Sequence, residues 1–274
     1  MKKCSVITVC RNEVSRIEGT CRSVVAQTCK NYEWIVIDGG SNDGTLQILE
    51  RYKDHMAVLI SEKDHGIYQA MNKGIREATG EYVIFLNGGD SFHHDEVLQE
   101  VFSCSEYTRG GGDVLYGDAW LVKNMENVFW CVPENLISPF YFIDRTIPHQ
   151  SAFIRRELFR QYGYYDEKFR ICSDVKFWII LTLNKRTFRH ISNVVCNMDG
   201  HGLSSVRRDL ALKEHVSLAS EYFHMRELVD YRSFFPVCWY KILGIIPVIK
   251  IIEKRRKRKY LLFGVLPVLY KVID

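Results

Sequence analysis

Tyr82-Val83-Ile84-Phe85-Leu86-Asn87-Gly88-Gly89-Asp90 decides how the first half of this chain is built. Five consecutive apolar residues stop abruptly on an amide, two glycines and a carboxylate. An apolar run this short, bounded by turn residues, reads as a strand covered on both faces. The polar turn then sits at the strand's carboxyl end.

Working back from it, the same unit recurs. Ser5 to Cys10, Trp34 to Ile37 and Ala57 to Ile60 read as three more strands. Between them, Val14, Ile17, Cys21, Val24 and Val25 fall at helical spacing, a short helix runs through Leu46, Ile48 and Leu49, and Ile67, Met71, Gly74, Ile75 and Ala78 mark one helical face. Strands alternating with helices across short loops imply a parallel sheet with helices on both faces. Such sheets bind ligands at the carboxyl ends of their strands. The polar clusters lie there: Arg11-Asn12-Glu13, Asp38 to Asp43, Lys63 to Gly66 and Asn87 to Asp90.

Beyond residue 113 the pattern loosens. Val114 to Tyr116 reads as another strand, Arg155 to Gln161 as a helix, Gly163 to Asp166 as a turn, and further helices start near Asp174 and span 206–229. This gives a first half over 1–112, a second half of the same domain over 113–230, and a C-terminal segment over 231–274.

Composition narrows the class. The chain has 274 residues, 47% hydrophobic and 26% charged, and a net charge of +4, which suits a globular protein with a real core. The charge is unevenly placed. Residues 235–274 hold nine Lys/Arg against two acids, so the tail carries +7 and the body −3. A uniformly basic nucleic-acid binder is not built this way, and no nucleic-acid partner is expected. Nine cysteines without a Cys-x-x-Cys pair fit reduced thiols in a cytosolic protein. Met1-Lys2-Lys3 leads into a short apolar run broken by Arg11-Asn12-Glu13, unlike a secretory signal. No Gly-x-Gly-x-x-Gly follows the first strand and no P-loop sequence is present, which argues against dinucleotide-dependent and P-loop enzymes.

Two carboxylates stand out by position. Asp90 follows a buried strand and two glycines, where backbone can approach a phosphate closely and magnesium or manganese would find an oxygen ligand. A turn aspartate or a helix cap is the plainer alternative. Asp38 ends the second strand, within reach of a base or ribose, whereas Asp43 in Asn-Asp-Gly is ordinary turn chemistry. Ser173-Asp174 opens a helix, as good N-capping residues do.

Four strings together resemble the family 2 inverting glycosyltransferases of GT-A fold: Ser5 to Glu13, Val36 to Thr45, Ser61 to Ile75 and Gly80 to Asp90, with thinner matches at Pro148-His149-Gln150-Ser151, Gly163 to Asp166 and Cys172-Ser173-Asp174. The strings also resemble members that build bacterial surface polysaccharides, which would make 1–112 the nucleotide-sugar-binding half and 113–230 the acceptor-binding and catalytic half. The resemblance implies a mostly parallel nucleotide-binding sheet flanked by helices and a hexosyltransferase activity. Thr8, Arg11, Asn12 and Glu13 would line the nucleotide pocket, Asp38 and Asp64 would hold the base and ribose, and Asn72 and Lys73 would lie near the donor. Asp90 would bind Mn2+ or Mg2+, and Asp174 would be the catalytic base. His149, Gln150 and His201 are candidates for the acceptor or diphosphate side. Asn87 and Gly89 stand where many relatives carry acids, and Ser173 where they carry Glu.

The tail completes the expectation. Phe234 to Ile252 is apolar but interrupted by Pro236, Lys241, Pro247 and Lys250; six basic residues run from Lys254 to Lys259, and Leu261 to Ile273 is apolar again. A helical segment lying in the interface of an anionic membrane fits this pattern better than a spanning helix. The expected protein transfers a sugar from a nucleotide-sugar, a UDP-sugar by the resemblance, to a membrane-linked glycan acceptor such as a polyprenol-linked sugar, as a peripheral protein on the inner face of the cytoplasmic membrane. The competing expectation is a non-catalytic membrane-surface scaffold that kept the fold.

Overall fold

β1 (Cys4–Cys10) is buried along its whole length, because both faces of the sheet are covered around it. The computed structural model describes residues 2–123, 126–130, 137–143 and 145–224, and the backbone of five stretches between 240 and 272. After β1 come α1 (Ile17–Val25), β2 (Tyr32–Asp38), α2 (Thr45–Glu50), β3 (Val58–Ser61), α3 (Ile67–Glu77) and β4 (Tyr82–Phe85). Each strand lies within two residues of its expected ends. β1 pairs in parallel with β2 and β4, and β2 with β3. Cys10 stands opposite Asp38, and Asp38 opposite Ser61, so three strands end level and their following loops form one polar rim.

Alternation across the pleat assigns the two faces. Cys4, Val6 and Cys10 join Trp34, Val36, Ile84 and Leu86 in a core shared with Ile17, Cys21 and Val24 of α1. On the other face Ile7 meets α3, where only Gly74 fits: a Cβ there would lie 2.5 Å from Ile7 Cγ2.

Past β4 the chain forms β5 (Ser91–Phe92), α4 (Val97–Val101), α5 (Ser105–Thr108), β6 (Val114–Lys123), β7 (Glu126–Trp130), β8 (Ala152–Arg155), α6 (Arg156–Tyr162), α7 (Ser173–Leu183), β9 (Phe188–Asp199) and α8 (Leu203–Val206). The sheet order is β3-β2-β1-β4-β8-β6-β9-β5, with β7 on β6. The mostly parallel expectation holds: beyond β4 the long strands β6 and β9 also pair in parallel, and antiparallel pairs join them. β8 lies antiparallel between β4 and β6, and β5 is antiparallel to β9. Phe159 of α6 stacks on Phe177 of α7 with ring centroids 4.7 Å apart, locking these helices together.

The chain divides into two compact units, Met1–Val206 and Arg207–Asp274. The second opens with α9 (Arg208–Tyr222). The helical expectation for the tail is corrected by its described backbone. β10 (Tyr240–Ile242) pairs with β11 (Ile246–Ile249), and β12 (Ile252–Lys254), β13 (Lys257–Leu262) and β14 (Leu266–Val272) form an antiparallel sheet. Pro247 and Pro267 disfavour a helix interior and lie in the edge strands β11 and β14, where proline is tolerated, and the many Ile and Val residues favour strands. The membrane contact expected of 231–274 falls on side chains outside the described residues. Among the described residues no helix is long and apolar enough to cross a membrane, and the described cysteines form no disulfide.

Candidate active site

The polar rim begins where β1, β2 and β3 end. Asp38 is wholly buried, and its carboxylate accepts the Ser41 hydroxyl, the Ser41 N–H at 3.0 Å and the Ser61 hydroxyl at 2.6 Å. It therefore holds the loop after β2 in shape. Asn12, in a left-handed conformation at φ 56, donates its N–H to Ser41 Oγ and accepts from the Asn42 N–H. Asp43 accepts the N–H groups of Val14 and Thr45, so its turn role extends to pinning two loops together. Thr8 is enclosed too, its hydroxyl accepting the Trp34 indole N–H at 3.0 Å. Thr8 and Asp38 thus form the pocket's frame.

Open polar capacity lies one step outward. Asp64 is almost fully buried. Its Oδ1 forms an ion pair with Lys73 Nζ at 2.5 Å, and its Oδ2 has no hydrogen-bond partner. The nearest heavy atoms to a Cβ built on Gly39 are Arg11 Cβ and Cδ at 3.4 Å and Asp64 Oδ2 at 3.5 Å, so Arg11, Gly39 and Asp64 line one hollow. Asn72 is elsewhere engaged. Its amide donates to Tyr165 O at 2.9 Å and Glu167 Oε1 at 3.0 Å, and its oxygen accepts the Tyr165 N–H at 3.0 Å. This side chain fastens α3 to the 163–167 turn.

Asp90 is buried in a second cluster. Its Oδ1 accepts the Asp199 N–H at 2.8 Å, and its Oδ2 accepts Gln150 Nε2 at 3.2 Å. Burial pushes its carboxyl up to about 6. Each oxygen keeps a lone pair, so the site suits a hard, oxygen-preferring cation that would also supply the missing positive charge. Among the described residues no three His, Cys, Asp or Glu side chains gather as a metal cage, so this chain offers a partial shell. Asp199 pairs with Arg16 and with His201 Nδ1 at 2.9 Å, and Arg16 also pairs with Glu13 at 2.5 Å. Burial raises Glu13 despite that arginine.

Asp174 lies in the first turn of α7, not at its cap: Cys172 holds the cap position and makes no side-chain capping bond. Asp174 Oδ1 accepts the Val175 N–H at 2.9 Å and lies 3.1 Å from the Tyr68 hydroxyl oxygen, whose one proton is donated to Ile171 O. Asp174 Oδ2 lies 3.0 Å from His149 Nδ1, and His149 Nε2 lies 3.0 Å from Asn87 Nδ2. Consecutive residues His149 and Gln150 therefore tie the two buried carboxylates Asp174 and Asp90 into one frame.

Sequence reasoning missed Asp199, Arg16 and Tyr68. Asp199-Gly200-His201 at the end of an unrecognised strand was the available signal for the first. Nothing in the local sequence marks Arg16 or Tyr68, whose partners lie 183 and 106 positions away.

Residues 5–163 match the family model described as Glycosyl transferase family 2. The chain belongs to that family and is a glycosyltransferase of GT-A fold. It is 30% identical over 177 residues to the PGL/p-HBAD biosynthesis glycosyltransferase of Mycobacterium bovis, covering 63% of this chain and 67% of that one. Staphylococcus aureus TarS 1-349 in complex with UDP-GlcNAc superposes with a TM-score of 0.64 at 19% identity, covering 84% of this chain and 70% of that one. The match spans only 42% of the longer TarS chain. The mannosyltransferase PcManGT of Pyrobaculum calidifontis, in complex with GDP-Man and Mn2+, gives 0.59 at 18% identity over 80% of this chain and 63% of that one.

Proposed function

We propose that this glycosyltransferase inverts the anomeric centre of a sugar as it moves it from a UDP-sugar to a membrane-linked glycan acceptor, a polyprenol-linked sugar being the simplest case, at the inner face of the cytoplasmic membrane. The observation that carries the reading is the His149-Gln150 tie between Asp174 and Asp90. It supports a reading in which Asp174 serves the acceptor and Asp90 beside it serves the donor's diphosphate.

Asp64 Oδ2, buried without a partner, would accept a ribose hydroxyl or a base N–H, and Arg11 would lie against the same nucleotide. Asp90 would hold manganese or magnesium together with diphosphate oxygens, which suits a chain that offers only a partial shell there. The bound cation would offset charge growing on the departing diphosphate. Asp174 would take the proton from the acceptor hydroxyl as that oxygen bonds to the anomeric carbon. The anomeric carbon–oxygen bond would break at the same time, its electron pair leaving with the nucleoside diphosphate. The basic, apolar composition of 231–274 supports the membrane setting.

Calorimetry with UDP and GDP, with and without manganese, on wild type and Asp90→Ala tests the donor half. Manganese-dependent UDP binding that the substitution abolishes is expected. A folded protein that binds neither nucleotide would overturn the reading in favour of the scaffold.

A further inference from the structure

Position 87 carries an amide where the family resemblance leads one to look for an acid, and the amide is aimed at His149. Asn87 Nδ2 lies 3.0 Å from His149 Nε2, and His149 Nδ1 lies 3.0 Å from Asp174 Oδ2. An amide nitrogen only donates. His149 Nε2 must then accept, which puts the ring's single proton on Nδ1 and points it at Asp174. With the opposite amide orientation, Asn87 Oδ1 would need a proton on Nε2 and the carboxylate another on Nδ1, so the ring would have to be an imidazolium.

The same inventory identifies the reactive oxygen. Asp174 Oδ1 already has two close neighbours, the Val175 N–H that it accepts and the Tyr68 hydroxyl oxygen at 3.1 Å, whose proton goes to Ile171 O. Oδ2 faces one, His149, and keeps a lone pair. We propose that His149 is the positioning residue of Asp174, held by Asn87 in its Nδ1–H tautomer, so that the acceptor hydroxyl is met by the remaining lone pair of Asp174 Oδ2. This rests on Asp174 being the base. In that step the hydroxyl proton passes to Oδ2, the acceptor oxygen bonds to the anomeric carbon, and the diphosphate leaves with its bonding pair. His149 keeps its own proton throughout. The edge-on packing of Phe85 against the His149 ring, centroids 6.1 Å apart, supports the orientation from the side.

The test has a spectroscopic arm and a kinetic arm, both on the full chain. Nitrogen NMR of histidine-labelled protein, with His149 assigned by comparison with His149→Asn, reads the tautomer without any turnover. A proton on Nδ1 alone is expected. A proton on Nε2 alone, or on both nitrogens, overturns the proposal. The kinetic arm follows UDP release from UDP-glucose, UDP-galactose and UDP-N-acetylglucosamine with manganese. His149→Ala should lower kcat about 10- to 100-fold with little change in donor KM. His149→Asn, whose amide nitrogen stands near the place of Nδ1, should recover most of that loss. Equal losses in the two variants, or a change in KM alone, count against positioning. Asp174→Asn separates the failures. Wild-type turnover there defeats the assignment of the base itself, whereas an inactive Asp174→Asn beside an unimpaired His149→Ala defeats only the role of His149.

Discussion

A Cβ on Gly89 would lie 2.9 Å from Asp199 Oδ2. Gly89 also sits at φ +99, a conformation in which side chains are strained. An acid at position 89, which the family resemblance leads one to look for, would crowd a carboxylate from the end of β9. Gly89→Asp, which restores the familiar pair of acids, is expected to lower stability by about 1–3 kcal/mol through backbone strain and crowding. It should not tighten manganese binding in the presence of UDP. Urea unfolding and calorimetry on the variant check both halves, and tighter manganese binding at unchanged stability would show that the space is not taken.

Asp90 is held at a cost in the metal-free protein. Its carboxyl is raised from 3.8 to about 6 by burial, so the folded state holds this proton more tightly than the unfolded chain. Its contribution is fully present below about pH 4 and is lost as pH rises through about 6. Asp90→Asn cannot ionise. In chelator, the variant should gain stability relative to wild type across that window, by up to about 3 kcal/mol at pH 8. The gap should close towards pH 4. A stability difference that stays flat from pH 4 to pH 8 would mean that Asp90 titrates normally.

The parts of the site that could be read from sequence are those made within one strand–loop unit. Asp38 directly follows an apolar run, and Asp64 and Asp90 each come four residues after one, in the polar loop at a strand's carboxyl end. The strands β5, β7, β8 and β9 were harder. Phe188–Asp199 mixes Arg189, His190, Asn193 and Asn197 among its apolar residues, so neither alternation nor a continuous apolar run is visible. Roles were harder still. Asn72 resembles a donor contact by its motif, yet its partners are the backbone of Tyr165 and the side chain of Glu167. Contacts between segments 90 or more positions apart leave no local pattern.

That assignment makes Asn72 separable from the nucleotide pocket. Asn72→Ala would strand the Tyr165 N–H and C=O in the interior, and each buried group left without a partner costs about 1–3 kcal/mol. The melting temperature should fall clearly, while UDP affinity of the folded fraction stays within about threefold, a difference under 1 kcal/mol. Loss of UDP binding at unchanged stability would place Asn72 against the donor instead.

Asp64 should show the reverse pattern. Its Oδ2 is the buried carboxylate oxygen without a partner beside Arg11 and Gly39, and such an atom is satisfied only when something binds. A hydrogen bond to a charged group contributes about 1.5–3 kcal/mol, so Asp64→Ala should weaken UDP binding about 10- to 100-fold. Lys73 loses one partner in that variant but keeps Glu62 at 2.6 Å, which limits the structural damage. Asp64→Asn keeps an acceptor and should fall between the two. The decisive comparison is UDP against inorganic diphosphate with manganese. If Asp64 reads the nucleoside, the substitution weakens UDP and leaves diphosphate binding unchanged; equal weakening of both would move Asp64 to the phosphate end of the pocket.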